Sequence, residues 1–190
     1  MKRRTFIAWT GAVAASLALP AARAQQGAAP RKLEQFELDV PYVPTKQEVV
    51  EAMLDLAGVT ANDVVYDLGC GDGRIVVTAA RKYGARGVGV DIDPERIQDA
   101  NYIAKRNGVT DRVKFIQGDL FDADIRPATV VTLYLLPEIN QKLKPKLLRD
   151  LEPGTRVVSH DFTMGRDWPP EKTVRIDRDT IYLWTVPARR

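Results

Sequence analysis

The 190-residue chain contains one cysteine and one histidine, Cys70 and His160, and each scarcity excludes a class of site. A single cysteine has no partner within the chain, so no intramolecular disulfide can stabilise the fold. One histidine and one cysteine without ligand-like spacing predict that the protein has no zinc site. The His160 side chain is interpreted as a buried core or rim group, with a pocket role for His160-Asp161 as the alternative.

An apolar run long enough to cross a bilayer is also lacking. The apolar stretch Phe6–Leu19 has 14 residues, whereas a spanning helix needs ~20. Lys2-Arg3-Arg4 precedes this stretch, and Ala22-Arg23-Ala24 follows it as a small-x-small cleavage site. We therefore predict a signal peptide over residues 1–24, cleavage after Ala24, and no stable membrane span in the mature chain.

The arginine pair indicates the type of signal. Arg3-Arg4-Thr5-Phe6-Ile7 resembles the twin-arginine signal, which exports proteins that are already folded, and this predicts a periplasmic location. An ordinary Sec signal and an uncleaved anchor are the alternatives. Residues 25–40 are predicted to be a leader or linker, followed by one domain over residues 41–190.

A large charge of one sign is absent once the signal peptide is set aside. The formal net charge is +3, but four of the 28 basic residues lie in residues 1–24, which hold no acids. The mature chain thus has 24 basic residues against 25 acidic ones. Because this balance is nearly neutral, the sequence gives no argument for nucleic-acid binding.

Strand and helix patterns alternate along the domain. The first helix is predicted to begin at a capping box, Thr45–Glu48, and a later one, over 138–151, to be interrupted near Pro145. The predicted strands are 64–68, 87–91, 113–117, 129–136, 155–162, 174–176 and 180–186. Alternation predicts a doubly wound α/β fold with a mostly parallel seven-stranded sheet, and the last two strands predict an antiparallel hairpin.

The most informative segment follows the first predicted strand. Asp67-Leu68-Gly69-Cys70-Gly71-Asp72-Gly73 has a glycine at every second residue, which is typical of a backbone that a ligand approaches closely. The nicotinamide-dinucleotide fingerprint is Gly-x-Gly-x-x-Gly and receives a pyrophosphate. An acid two residues before the first glycine would repel that pyrophosphate but can pair with an amino group. The spacing therefore disfavours a nicotinamide oxidoreductase.

Two further acids follow the next two predicted strands. Asp91 lies 24 residues after Asp67 at a strand end, where a carboxylate can accept both ribose hydroxyls. Asp119 follows the third predicted strand, in a position to meet an adenine amino group. The alternatives for both are a solvated loop acid or a helix cap, and the cap is the interpretation of Asp93.

These motifs resemble the class I S-adenosylmethionine-dependent methyltransferases, over roughly Pro41 to the end of the chain. The resemblance implies a Rossmann-like methyltransferase fold over residues 41–190, with S-adenosyl-L-methionine as cofactor. It places the methionine part on the glycine loop, the ribose on the second-strand acid, and the adenine on the third-strand acid between apolar walls. The cofactor residues so implied are Asp67, Gly69, Cys70, Gly71, Asp91, Ile92, Asp119 and Leu120.

A narrower resemblance is to small protein-lysine methyltransferases related to the mitochondrial enzyme that modifies the ATP synthase c-subunit. The matching segments are Tyr42–Thr45, Asp67–Val76, Tyr134–Pro137, Lys144–Leu148 and Arg156–Phe162. It implies methyl transfer to a protein lysine, and hence a protein substrate. The alternative is an exported domain that binds an adenosyl ligand without turnover, as a sensor or carrier.

The acceptor pocket is expected where the fourth predicted strand ends, at Tyr134. Many amine and amide methyltransferases carry Asn/Asp-Pro-Pro-aromatic there, and its absence argues against amide and nucleobase acceptors. Tyr134 is a candidate to orient the acceptor nitrogen, and Tyr42 to close the pocket. For both residues the alternative is a ring buried by packing. The oligomeric state is not indicated by the sequence.

Overall fold

A computed structural model describes residues 43–189, so the predicted signal peptide, the leader and Tyr42 lie outside the described residues. The helices are α1 (Gln47–Leu56), α2 (Arg74–Tyr83), α3 (Pro94–Arg106) and α4 (Pro137–Asp150). The strands are β1 (Val64–Leu68), β2 (Arg86–Asp91), β3 (Val113–Gln117), β4 (Val130–Leu133), β5 (Arg156–His160), β6 (Lys172–Ile176) and β7 (Asp179–Thr185). None of these helices has the length and apolar character needed to cross a bilayer.

The seven strands form one sheet in the order β3-β2-β1-β4-β5-β7-β6. Strands β1 to β5 are parallel, and β7 is antiparallel to both of its neighbours. The chain moves outward from β1 to β3 and then returns to β4 on the other side of β1. This change of direction opens a crevice at the carboxyl ends of β1 and β4, where ligands bind in open α/β sheets. The predicted doubly wound fold with its terminal hairpin is confirmed.

Successive side chains of the central strands pack on opposite faces of the sheet. Val65 and Val130 pack on one face with the apolar residues of α1 and α2. Their neighbours Tyr66 and Val131 pack on the other face with those of α4. Because helices cover both faces, these strands are apolar at nearly every position, which is why they are so readily predicted.

The predicted capping box at Thr45–Glu48 is wrong. Helix α1 has Lys46 as its N-cap residue, and no side chain there accepts a capping hydrogen bond. The Thr45 hydroxyl lies 3.4 Å from Nδ1 of His160 on β5 instead. The Thr45 hydroxyl thus contacts a side chain 115 residues away in sequence, and it does not cap the backbone of the helix that follows it.

The predicted interruption of the fourth helix near Pro145 is also wrong, because α4 runs continuously from Pro137 to Asp150. Pro145 lies on the exposed face of this helix. The carbonyl four residues earlier loses its helical N–H partner there, and water can take its place. Strand β4 ends at Leu133, so Tyr134–Leu136 forms the connection to α4 instead of extending the strand.

A stability prediction follows from the close packing around Gly89 in β2. A Cβ atom added at Gly89 would lie 2.6 Å from Phe115 Cδ1 and 2.7 Å from Cys70 Sγ. We expect Gly89→Ala to lower the free energy of unfolding by about 1–3 kcal/mol, because both side chains must shift. Gly118→Ala is the control, since an added Cβ there meets no heavy atom within 4 Å. Urea unfolding compares the two variants, and equal stabilities would contradict this packing.

Candidate functional site

A cavity of about 260 Å³ lies at the carboxyl ends of the central strands. Every predicted site residue within residues 43–189 lines it: Asp67, Gly69, Cys70, Gly71, Asp91, Ile92, Asp119, Leu120 and Tyr134. These residues come from the ends of β1 and β2 and from the segments that follow β1 to β4. The structure therefore brings the predicted cofactor residues together with the predicted acceptor residue Tyr134.

The glycine loop, Gly69–Gly73, joins β1 to α2 along this cavity. All three of its glycines have positive φ angles, of 80°, 52° and 74°, which other residues rarely adopt. The N–H groups of Gly69 and Cys70 donate to the Val90 carbonyl at 2.8 and 3.0 Å. The alternating glycines are thus required by the backbone path, and the loop is fixed to the end of β2.

Asp91 ends β2 and connects the glycine loop to the segment that precedes α3. Its Oδ2 accepts a hydrogen bond from Gly71 N–H at 2.7 Å, and its Oδ1 accepts one from Asp93 N–H at 3.0 Å. Asp93 in turn caps α3 by accepting from Glu95 N–H at 2.8 Å, as the sequence predicts. The Asp91 carboxylate is therefore held in place by the chain itself.

Asp67 is the most buried acid of the cavity, with 3% of its surface exposed. Thr132 Oγ1 on β4 donates a hydrogen bond to its Oδ1 at 2.8 Å. Burial, followed by the nearby charges of Asp91 and Asp72, raises the pKa of Asp67 to about 7. Its negative charge is therefore costly until a cation lies beside it.

Asp119 is exposed at the opposite wall of the cavity, after β3. Its Oδ1 accepts a hydrogen bond from Phe121 N–H at 2.8 Å, which makes it a turn residue as well as a cavity residue. Leu120 and Phe121 of this turn line the cavity together with Ile92 from the end of β2. This wall combines apolar surface with one accessible carboxylate.

Cys70 is buried in the glycine loop and lines the cavity. Burial, then the neighbouring Asp67 and Asp91 carboxylates, raises the pKa of its thiol above the ordinary value. The thiol accordingly stays protonated at neutral pH and serves as a small packing group beside Gly89.

Tyr134 lies at the other end of the cavity, directly after β4. Its ring stacks on His160, with centroids 3.9 Å apart and planes inclined by 30°. Burial, followed by the charges of Asp161 and Asp179, raises the pKa of its hydroxyl. Tyr134 therefore presents a protonated hydroxyl in this region at neutral pH. Tyr42, the other predicted acceptor residue, lies outside the described residues.

Of the cavity residues that the sequence reasoning did not assign to the site, Arg74 and Thr45 are joined by a hydrogen bond. Arg74, the first residue of α2, donates from Nη2 to Asp72 at 2.6 Å and from Nη1 to the Thr45 carbonyl at 2.8 Å. Thr45 is 5% exposed and lines the cavity. No local spacing relates residue 45 to residue 74, although both lie in segments that carry the resemblance to protein-lysine methyltransferases, Tyr42–Thr45 and Asp67–Val76.

A polar cluster lies beneath Tyr134. His160, Asp161 and Asp179 have ligand-type atoms within 4.8 Å of one another, a spacing that a metal ion can use. Lys46 already donates to Asp179 Oδ2 at 2.8 Å and holds the pKa of this carboxyl below its usual range. The cluster thus contains its own cation.

The cavity fits the cofactor that the sequence predicts. Asp67 and Asp91 offer carboxylates to an amino group and to sugar hydroxyls, while Ile92 and Leu120 provide apolar surface for a base. The backbone at Gly69 is closely approached, since an added Cβ there would lie 2.9 Å from Leu135 Cδ2. These groups match S-adenosylmethionine in charge and in polarity.

Comparison with known proteins agrees with this assignment. The family model described as the ANTKMT methyltransferase domain matches residues 67–172. A protein-lysine N-methyltransferase of Saccharolobus islandicus strain REY15A is 48% identical over 152 residues, which cover 77% of this chain and 94% of that protein. The lysine N-methyltransferase of Mus musculus that is named for the ATP synthase c-subunit is 32% identical, over 80% of this chain and 60% of its own length.

A solved structure provides the corresponding match in three dimensions. The crystal structure of an RNA methyltransferase from Salinibacter ruber, in complex with S-adenosyl-L-homocysteine, has 60% sequence identity and a TM-score of 0.76. The match covers 78% of this chain and 96% of that one. The chain therefore belongs to the ANTKMT methyltransferase domain family and is an S-adenosylmethionine-dependent methyltransferase.

Proposed function

We propose that the methyl acceptor is the side-chain amine of a protein lysine. The observation that carries the proposal is the match to the Saccharolobus protein-lysine N-methyltransferase, which includes 94% of that protein. In this chain, a cavity extends from the glycine loop to Tyr134. The absence of Asn/Asp-Pro-Pro-aromatic after β4 supports an alkyl amine over a nucleobase.

RNA is the second candidate acceptor, because the Salinibacter protein at 60% identity is named an RNA methyltransferase. The charges at the acceptor end favour a cationic acceptor. Asp161 and Asp179 lie beside His160 beneath the Tyr134 ring, and Lys46 pairs with Asp179. Next to the glycine loop, the cation of Arg74 is likewise taken up by an acid. Asp72 pairs with Arg74, so little positive charge is left to attract phosphates.

We propose a role toward the cofactor for each predicted residue from the strand end that it follows in the cavity. Asp67 pairs with the amino group of the methionine part, Asp91 accepts from the ribose hydroxyls, and Asp119 accepts from the adenine amino group. Gly69, Cys70 and Gly71 supply the surrounding backbone, while Ile92 and Leu120 flank the adenine. When bound, S-adenosylmethionine supplies a methyl group that is already activated on a sulfonium.

The chain's own residues then have to align the acceptor nitrogen with that methyl group. Tyr134 is suited to this task, because its hydroxyl can accept a hydrogen bond from the amine while stacking on His160 fixes the ring. A lysine with a pKa near 10.4 must also lose a proton before its lone pair can react. Proper alignment and the loss of this proton together determine the rate.

We also infer that the protein acts in the periplasm, after export through the signal in residues 1–24. The periplasm is not expected to supply S-adenosylmethionine. Twin-arginine export carries folded proteins, so the cofactor can be bound before transit. The absence of a disulfide is compatible with folding in the reducing cytosol.

The export proposal is tested with the full chain and the double variant Arg3→Lys, Arg4→Lys. This change keeps the positive charge of the signal and removes the arginine pair. We expect the variant to accumulate in the cytoplasm, where fractionation and immunoblotting detect it. Unchanged export would favour the Sec alternative.

The role of Asp67 predicts a pH-dependent stability. The folded-state pKa of about 7 lies above the unfolded value of about 3.9. The contribution of Asp67 to stability is therefore fully present below about pH 4 and is lost as the pH rises from about 4 to about 7. Asp67→Asn removes this loss and should raise the free energy of unfolding at pH 8 by up to about 4 kcal/mol. Urea unfolding of the ligand-free protein at pH 5 and pH 8 measures the difference.

The same variant tests the proposed cofactor contact. Asp67→Asn should weaken binding of S-adenosylhomocysteine roughly tenfold or more, because its amino group loses a charged partner. Calorimetric titration measures the affinity, and Asp111→Asn, the same change at an exposed acid that does not line the cavity, serves as the control. An unchanged dissociation constant in Asp67→Asn would show that this carboxylate does not contact the ligand.

The acceptor is tested with S-adenosylmethionine carrying a labelled methyl group, added to periplasmic and membrane extracts. We expect label in protein that protease digests, and methyllysine after acid hydrolysis. Label removed by ribonuclease would identify RNA as the acceptor. Binding of S-adenosylhomocysteine without label in any extract would favour the sensor or carrier alternative.

A further inference from the structure

The Thr45 hydroxyl has an unusual setting for a residue next to a helix start. It lines the cavity but caps nothing, because α1 begins without a side-chain cap. Its Oγ1 faces Nδ1 of His160 at 3.4 Å. The neighbouring Arg74 guanidinium donates to the Thr45 carbonyl and so holds this backbone position beside the glycine loop. Thr45 thus lies between the cavity and a buried imidazole.

The second nitrogen of that imidazole faces two carboxylates. His160 Nε2 lies 3.4 Å from Asp179 Oδ1 and 3.6 Å from Asp161 Oδ2. Asp179 is kept ionised by Lys46, which donates to its other oxygen at 2.8 Å. Asp161 is held by the Thr180 N–H, which donates to its Oδ1 at 2.8 Å. The His160 ring is 2% exposed and is covered on one face by Tyr134.

We propose that Thr45, His160 and Asp179 form a relay that removes a proton from the acceptor ammonium. The arrangement of hydroxyl, imidazole and carboxylate is the one that general-base catalysis uses to move a proton away from a reacting group. The inference rests on the proposed function, since it requires an amine acceptor. Thr45 would contact the acceptor, and His160 and Asp179 would act through it.

In this relay, the proton passes from the acceptor nitrogen to Thr45 and on to His160. An N–H bond of the ammonium breaks, Thr45 Oγ1 takes that proton, and the hydroxyl gives its own proton to His160 Nδ1. The amine keeps the electron pair and is then neutral and nucleophilic. The imidazolium is stabilised by Asp179 and Asp161 until it returns the proton to solvent after the product leaves. Both contacts, at 3.4 Å, exceed an ordinary hydrogen bond, and such contacts tighten when substrate binds.

The first test uses the fact that His160 is the only histidine in the chain. Protein labelled with ¹⁵N-histidine, purified through a tag without histidine, gives NMR signals from one imidazole. We expect the neutral ring to carry its hydrogen on Nε2, which leaves Nδ1 free to accept from Thr45. Hydrogen on Nδ1 would overturn the relay. A shift of these signals on adding stoichiometric Zn²⁺ would assign the cluster to a metal and overturn it as well.

The second test compares Thr45→Val, which removes the hydroxyl at nearly constant shape, with Thr45→Ser, which keeps it. Transfer of the labelled methyl group to lysine in protein of the membrane extract is measured under single-turnover conditions from pH 7 to pH 9.5. We expect Thr45→Val to be slower by about a hundredfold at pH 7 and by less than about tenfold at pH 9.5, where solvent deprotonates more of the lysine. Thr45→Ser should retain most of the rate at both values.

The pH dependence separates a relay from a packing role. A ratio between wild type and Thr45→Val that stays constant with pH would mean that Thr45 only positions the acceptor, and would overturn the relay alone. A wild-type protein that methylates no lysine would overturn the proposed function and the relay with it. His160→Gln, with S-adenosylhomocysteine affinity as the folding control, should show the same pH-dependent loss as Thr45→Val.

Discussion

The Asp91 carboxylate accepts one backbone N–H from the glycine loop and another from the segment before α3. Both segments follow parallel strands, and nothing in the sheet ladder itself fixes where they go after the strands end. The two hydrogen bonds of Asp91 act together with those from Gly69 and Cys70 N–H to the Val90 carbonyl, and they tie the glycine loop to the residue that caps α3. The predicted ribose partner is therefore also the residue on which the shape of the cavity depends.

The predictable parts of this structure are those that depend on residues close together in sequence. The alternating glycines, the Asp93 cap with Pro94, and the apolar strands all reflect constraints that act within a few residues. Thr45 was misread because its sequence neighbours match the capping-box pattern, while its actual partner is His160. Such a contact depends on the folded sheet, and a single sequence carries no pattern for it.

The acceptor end could be located but not described from the sequence. The fold places Tyr134 at a strand end, as expected, but the stacking on His160 depends on β5 lying next to β4. Likewise, Asp179 comes to His160 through the antiparallel pairing of β7 with β5. The terminal hairpin, a predicted feature of the fold, thus supplies a charged group to this end of the cavity. Its presence was predictable, and its chemical contribution was not.

The Arg74 guanidinium bridges two segments that serve different ligands. It pairs with Asp72 of the glycine loop and also donates to the carbonyl of Thr45, beside the acceptor end. A shift of the loop around a bound nucleoside would therefore reach Thr45 through this side chain. If binding at one end does change affinity at the other, thermodynamic linkage requires the two substrates to affect each other's affinity by the same factor.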